Sequence, residues 1–184
     1  MALSATIWNF DIGLSDMDRS VYETVSLRVA QQPSETIDYM LTRVLAYCME
    51  WQEGIDFGQS VGSTSSGNEE AAVWARDYTG VIKLWVEVGM PDAEKLHRVS
   101  KASERTIVYT HRDPDMLRRN LVGKTIYRAN EIEIVSFERA FLSQLAQKLD
   151  RRNKLDLSIT EGQLYLTLGN DTLETKPQRR LIQS

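Results

Sequence analysis

Glu87 is the residue in this sequence whose type and setting point most directly to chemistry. It stands in Val81–Gly89, where aliphatic residues alternate with Lys83, Trp85 and Glu87, and this period of two predicts a β-strand. Glu and Lys are depleted in strand interiors, so a carboxylate here needs a partner or a task. One task is to ligate a divalent cation that polarises a phosphodiester and activates water. The alternative is an ion pair with a basic residue on a solvated sheet face.

A basic helix follows this strand and supplies candidate cations. It starts at Pro91-Asp92 and carries Arg98 and Lys101, which are three residues apart and share a face. These cations would hold a phosphate or stabilise an anionic transition state. The helix also starts past the end of a strand, where α/β sheets place their sites. The alternative is a solvated helix whose cations pair with Glu87 or with acids of the helix itself.

Three further residues extend the candidate site. Glu35 lies in the first turn of an earlier helix, as a second carboxylate near the sheet or as an acid that complements the helix dipole. Arg43, on the same helix among apolar neighbours, would reach a buried carboxylate such as Glu87, as architecture or as a substrate clamp. Lys83, on the strand itself, would contact a substrate or pair with Glu87.

Composition bounds the remaining possibilities. The 184-residue chain has a formal net charge of −4, which gives no general support for nucleic acid but leaves room for a local basic patch. The single cysteine, Cys48, builds neither a disulfide framework nor a cysteine-rich zinc site, which favours a reducing, cytoplasmic setting. The N-terminus lacks the basic and apolar regions of a signal peptide, and no apolar run approaches the roughly 20 residues of a membrane span.

The elements that must position the candidate residues follow from periodicity. Ala5–Ile12 and Val21–Val29 predict an antiparallel hairpin, and Ser34 is the predicted N-cap of a core helix that ends near Gly54. The Glu87 strand, the basic helix and a strand at Thr106–Thr110 predict a βαβ unit. Such a unit makes the two strands parallel neighbours with a right-handed crossover.

The rest of the chain predicts a smaller set of elements. They are a strand at Ile55–Gly58, a mobile Gly- and Ser-rich loop over 58–67, a helix from Asp113 to Gly123, strands at Thr125–Ala129 and Ile132–Val135, an amphipathic helix at Phe137–Leu149 and a hairpin over Leu155–Leu173. The last ten residues are polar and are predicted to fray. The predicted fold is a single α/β domain over residues 1–184, with a mixed β-sheet, flanking helices, an N-terminal β-ribbon and a C-terminal hairpin.

Several short motifs, in a fixed order along nearly the whole chain, carry a family resemblance. They are Met1-Ala2-Leu3, Asp16-Met17-Asp18-Arg19, Pro33-Ser34-Glu35-Thr36, Arg76-Asp77-Tyr78-Thr79-Gly80, Leu84-Trp85-Val86-Glu87-Val88-Gly89 with Pro91-Asp92, and Val108-Tyr109. Together these motifs resemble the YaeQ family of bacteria. The resemblance implies a restriction-endonuclease-like core with a variation on the PD-(D/E)XK nuclease motif, in a family whose biochemical function is not established.

In a nuclease site of that kind, acidic residues and a lysine bind Mg²⁺ and position water. The resemblance matches Glu87 to the second acid and Glu35 to the additional Glu that such folds place at the first core helix. The lysine position is Gly89 in this chain, so Arg98 or Lys101 of the following helix would supply the cation. Mg²⁺ is the cofactor that the resemblance implies.

Two departures from the family pattern separate two hypotheses. The acid that family members carry before the Trp is replaced by Ala72, and some relatives have Asp where this chain has Lys83. The first hypothesis is a Mg²⁺-dependent phosphodiesterase or nuclease. The second is a catalytically inactive nuclease-like fold that binds nucleic acid or a protein partner.

Overall fold

The computed structural model describes residues 3–58 and 70–183. In chain order the elements are β1 (Thr6–Asp16), β2 (Val21–Gln31), α1 (Ile37–Met49), β3 (Ile55–Phe57), β4 (Val73–Arg76), β5 (Ile82–Val88), α2 (Ala93–Ala102), β6 (Arg105–Thr110), α3 (Pro114–Leu121), β7 (Glu133–Ser136), α4 (Arg139–Lys148), β8 (Arg152–Thr160), β9 (Gln163–Leu168), β10 (Asp171–Thr175) and β11 (Gln178–Leu181). None of the helices described is long and apolar enough to cross a membrane.

Contacts divide the chain into two units. Among the described residues, unit 1 holds 3–41 and 137–177, and unit 2 holds 42–58, 70–136 and 178–183. Each unit is built on its own β-sheet, and both sheets mix parallel and antiparallel pairs. The predicted mixed α/β class is confirmed, with two sheets in place of one. The prediction of one domain over residues 1–184 stays a prediction.

Unit 1 contains a five-stranded sheet in the order β10-β9-β8-β1-β2. The predicted N-terminal hairpin is confirmed, because β1 and β2 pair antiparallel in one continuous register from Thr6↔Gln31 to Asp16↔Val21. The predicted C-terminal hairpin is confirmed as β8 and β9, and β10 adds a third strand. The parallel pairing of β1 with β8 joins the N-terminal hairpin to the β8–β9 hairpin.

Alternation decides which face of this sheet is buried. On one face the aliphatic and aromatic side chains of β1, β2, β8 and β9 are buried, and on the other face polar side chains meet solvent. The buried residues are Phe10, Ile12, Leu14, Val25, Leu27, Val29, Leu155, Leu157, Ile159, Leu164 and Leu166.

Unit 2 contains a six-stranded sheet in the order β11-β7-β6-β5-β4-β3. Its centre is parallel, with β5 beside β6 and β6 beside β7, and its outer strands run antiparallel. The predicted βαβ unit is therefore confirmed as β5, α2 and β6. We call the side of this sheet that carries Trp85 and Val108 the α2 face, because both pack with Leu96 and Val99 of α2.

Three predicted elements are wrong. Thr125–Ala129 is not a strand; it leads into a short 3-10 turn at Ala129–Glu131, and Arg128 there has a left-handed φ of 51°. The Arg128 guanidinium donates to the carbonyl oxygens of Ser100, Ser103 and Glu104, at 3.0, 2.7 and 2.8 Å, and so satisfies the C-terminus of α2. This capping role explains why an irregular segment replaces the strand.

The other two wrong predictions concern the polar C-terminal tail and the N-cap of the first helix. Part of the predicted frayed tail forms β11 on the edge of β7, and Ile182 behind it is fully buried. Helix α1 starts at Ile37, and Thr36 in place of Ser34 accepts the Tyr39 amide at 3.1 Å. Strand β4 was not predicted. The predicted loop over 58–67 lies, apart from Gly58, outside the described residues.

Gly54 and Gly80 offer a matched test of packing at the β3–β4 edge. Both have positive φ, 81° and 88°, so alanine strains the backbone at either position. A Cβ at Gly54 would stand 2.1 Å from the Arg76 carbonyl oxygen, whereas nothing lies within 4 Å of one at Gly80. We expect Gly80→Ala to lower the free energy of unfolding by about 1–2 kcal/mol and Gly54→Ala by roughly twice that or more. Urea titration measures both, and equal losses would contradict the packing account.

Candidate functional site

Glu87 is a buried carboxylate near the end of the central strand β5. The residue is 4% exposed and points to the α2 face of the unit 2 sheet. Trp85, two residues earlier on the same face, donates its indole Nε1–H to Glu87 Oε1 at 2.7 Å. Lys95 of α2 places Nζ 3.0 Å from Glu87 Oε2. The carboxylate that the sequence singled out is therefore held by an indole and an ammonium group.

A left-handed turn at Gly89 delivers Lys95 to this carboxylate. Gly89 has a φ of 101°, which L side chains rarely adopt, and its amide donates to the Tyr109 carbonyl oxygen at 2.9 Å. Asp92 then caps α2 by accepting the Lys95 amide at 2.7 Å. The first turn of α2 consequently stands beside the end of β5, and the cation comes from the helix because a lysine at position 89 would oppose the turn.

The structure places the two predicted helix cations elsewhere on α2. Arg98 pairs with Glu94 at 2.9 Å on the exposed side of the helix. Lys101 is exposed, whereas the face of α2 that packs on the sheet carries Leu96, Val99 and Ser100. The lysine on Glu87 is thus Lys95, one to two turns nearer the start of the helix than either candidate. The catalytic roles of Arg98 and Lys101 stay predictions.

Lys83 lies at the opposite end of β5 from Glu87 and has its own acidic partners. Its Nζ stands 2.6 Å from Glu104 and 3.6 Å from Asp77, at a half-exposed position. The hydrogen bond to Glu104 raises the pKa of Lys83. Lys83 therefore stays charged, and the structure assigns it to a surface ion-pair cluster at the start of the strand.

Arg43 and Glu35 occupy different surroundings from Glu87. Arg43 of α1 is buried, with its guanidinium 5.5 Å from the centre of the Phe57 ring. Strand register aligns Phe57 with Val73 and Val86, so it shares their face, whereas Glu87 points to the other face. Glu35 belongs to unit 1, where its Oε2 accepts the amide of Gln32 at 3.3 Å in the turn before α1.

A second buried carboxylate, Glu50, was missed from the sequence. It is 7% exposed just past the end of α1 and accepts from Tyr109 Oη at 2.8 Å and Arg105 Nη1 at 2.6 Å. Burial, followed by the charge of Glu50, raises the pKa of fully buried Tyr109 well above its usual range, so this phenol stays neutral. The available signal was an acid at a helix C-terminus, where the dipole disfavours it unless a cation is near.

The residues around Glu87 do not fit a resident Mg²⁺. Such an ion is usually held by one or two carboxylates with waters and substrate oxygens. Within residues 3–58 and 70–183, no group of three His, Cys, Asp or Glu side chains is placed to hold a metal ion. The Lys95 ammonium also stands against the carboxylate oxygen that a cation would need.

The fold and site define a mixed α/β protein with two mixed sheets and a buried carboxylate–lysine pair at the end of a central parallel strand. The chain belongs to the YaeQ protein family, whose model matches residues 1–177. It is 29% identical over 177 residues to the uncharacterised YaeQ protein of Salmonella typhi and 27% identical to that of Escherichia coli K12, covering 95% of this chain and 94% of each relative.

Solved structures of YaeQ proteins share this fold. The crystal structure of YaeQ from Pseudomonas syringae superposes with a TM-score of 0.84 at 29% identity and covers 95% of both chains. That of YaeQ from Xanthomonas axonopodis pv. citri gives 0.83 at 24% identity and covers 97% of this chain and 99% of the other. The resemblance read from the sequence motifs is therefore confirmed as family membership.

Replacing Lys95 tests whether it is the partner that Glu87 requires. Lys95→Met leaves a buried carboxylate without its ammonium, and we expect the free energy of unfolding to fall by about 1–3 kcal/mol. This is less than the loss for a fully buried pair, because the Lys95 side chain is 33% exposed. Urea titration of Lys101→Met, which removes an exposed lysine from the same helix, is the control and should stay within about 0.5 kcal/mol of wild type. Equal losses in the two variants would contradict the pairing.

Replacing Glu50 tests the second buried carboxylate. Glu50→Leu removes the acceptor of Tyr109 Oη and the counter-charge of Arg105, so we expect a loss of about 2–4 kcal/mol in the free energy of unfolding. Tyr109→Phe removes the hydrogen bond to Glu50 but leaves the Arg105 contact in place, and should cost about 1 kcal/mol. The ordering matters in this comparison: a Tyr109→Phe variant as unstable as Glu50→Leu would show that Glu50 contributes nothing through Arg105.

Proposed function

We propose that this YaeQ-family protein is a nuclease-like fold that binds nucleic acid through its phosphates and does not cleave it with a resident Mg²⁺. The observation that carries the proposal is the closed state of Glu87. One carboxylate oxygen accepts a hydrogen bond from the Trp85 indole N–H, and the other forms an ion pair with the Lys95 ammonium. The carboxylate therefore already has the positive charge that a metal would supply. A restriction-endonuclease-like core is the part of this proposal that rests on family resemblance.

Two cations support phosphate contact near this site. Lys95 is one-third exposed at the carboxyl end of β5, and Arg112 is exposed two residues after the end of the neighbouring parallel strand β6. Because parallel strands end at the same edge of a sheet, both side chains belong to one edge. Long basic side chains of this kind hold nucleic acid by phosphate contacts that carry no sequence information.

The helix starts at this edge do not provide the anion site themselves. Asp92 accepts from the first turn of α2, and Asp113 accepts the amides of Asp115 and Met116 in α3. These carboxylates satisfy the donors that a phosphate would use and add negative charge. With a net charge of −4 on the whole chain, we therefore expect modest affinity that depends on a few side chains and falls steeply with salt.

One observation favours a second candidate, the Mg²⁺-dependent phosphodiesterase. Glu87 and Lys95 lie 3.0 Å apart at the end of a central strand, and an acid with a lysine is the pair that a PD-(D/E)XK-like site uses. This candidate requires Lys95 to leave Glu87 and further oxygen ligands to join it. Binding of a protein partner is the remaining alternative.

Fluorescence anisotropy with short single-stranded DNA, duplex DNA and single-stranded RNA tests the proposal. We expect binding at about 50 mM salt that weakens by roughly tenfold or more at 200 mM, as a few phosphate contacts predict. Arg112→Gln should weaken binding to every sequence, by about threefold to tenfold. Lys124→Gln removes an exposed cation between α3 and β7 and is the charge-matched control, expected to change binding little.

The same samples distinguish the alternatives. Absence of binding to all three probes at low salt would contradict the proposal and leave a protein partner. Cleavage that appears with Mg²⁺ or Mn²⁺ and disappears in Glu87→Gln would replace the proposal with the phosphodiesterase. Calorimetric titration of Mg²⁺ into the wild-type protein and Glu87→Gln gives a readout of metal binding that does not depend on choosing the right substrate.

A further inference from the structure

Strand β2 forms an unusually long edge of the unit 1 sheet. All 11 of its residues pair with β1 in one register, and the segment contains neither proline, glycine nor a bulge. The other edge strands of the two sheets, β10, β3 and β11, have five, three and four residues. Proteins usually keep exposed edges short or interrupt them, because an unpaired strand is a template for another strand.

Hydrogen bonds of β1 identify which backbone groups of β2 face this edge. The amides of Asn9 and Met17 both donate at 2.9 Å to carbonyl oxygens on the β8 side, so odd-numbered residues of β1 are directed to β8 and even-numbered ones to β2. By register, the odd-numbered residues of β2 bond to β1. Tyr22, Thr24, Ser26 and Arg28 therefore direct their N–H and C=O groups outward and have no strand partner in the described part of the chain. Ala30, the next outward residue of the series, has an interaction of its own and takes no part in the proposed pairing.

We propose that β2 pairs antiparallel with β2 of a second copy of this chain, across a two-fold axis at Val25. In this register Tyr22 faces the second copy's Arg28 and Thr24 faces its Ser26, each pair occurring twice. All eight outward N–H and C=O groups of the four residues are then bonded reciprocally. The two five-stranded sheets become one sheet across the axis.

Side chains on the outer face suit this register. Tyr22 is 63% exposed, and a tyrosine ring opposite an arginine guanidinium gives a cation–π pair. Thr24 and Ser26 give an opposed pair of hydroxyl-bearing residues, which stabilises strand pairing. Like charges do not face each other, because Arg28 is the only cation on the strand and Glu23 its only acid. On the inner face, Val25 meets its own counterpart and Val21 meets Val29.

Sedimentation equilibrium of the whole chain tests the proposal. We expect the mass to rise from one chain to two across the micromolar range. Thr24→Pro removes an outward N–H without removing a bond to β1, so it should stay folded and sediment as a monomer. Thr24→Val keeps the N–H and is the matched control, expected to dimerise. Circular dichroism and thermal melting check that each variant is folded.

A cysteine at the axis tests the register independently. In this pairing the two Val25 positions form a pair without mutual hydrogen bonds, about 4.5 Å apart at Cα, which a disulfide can span. Val25→Cys should therefore give a covalent dimer on mild oxidation, and fully buried Cys48 does not compete. A wild-type chain that stays monomeric, or a folded Thr24→Pro that still dimerises, overturns the proposal. If Thr24→Pro does not fold, failure of Val25→Cys to cross-link overturns it.

Discussion

The left-handed turn at Gly89 is the constraint on which the candidate site depends. It follows directly on Val88, the last residue of β5, and sends the chain back along the α2 face, so that Asp92 caps the helix and Lys95 meets Glu87. A buried carboxylate is costly unless it is hydrogen-bonded and neutralised, and the turn provides the neutralising group from the next element. Glycine is thus required at position 89 by the positive φ of the backbone, whether or not the strand carries a nuclease motif.

The contact between Lys95 and Glu87 bears on how the glycine at position 89, in place of a motif lysine, is interpreted. The PD-(D/E)XK motif that the family resemblance implies would place an acid and a lysine on the same strand, whereas the lysine that contacts Glu87 in this chain is Lys95 of helix α2. The pair is electrically satisfied as it stands, which favours a structural or binding role over one that needs an open carboxylate. Trp85 occupies the other oxygen of Glu87, because its indole N–H donates a hydrogen bond to Oε1 while the ring packs in the core of unit 2.

Local periodicity predicted most elements but not the rotation of helices. Alternation found β2 and β5, and residue types that favour strands found β1 and β6. Lys95 was not identified as the cation beside Glu87, because the start of α2 was not fixed from the sequence and six residues, the separation of Lys95 and Lys101, rotate a side chain by about 240° around a helix. Strand β11 was missed because its four residues are polar or exposed, so its place in the sheet follows from an open edge on β7 that only the tertiary structure provides.

The buried residue Glu50 and the edge residue Glu23 show why charge on its own does not identify a site. Glu50 is neutralised from β6, 55 residues away along the chain, and no local pattern relates the two positions. Glu23 lies on the inward face of β2 yet is exposed, and an inward charge on an edge strand limits how tightly a second strand can pair. In the proposed register it faces the second copy's Leu27, so the paired edge is expected to open and close with concentration and not to form a permanent interface.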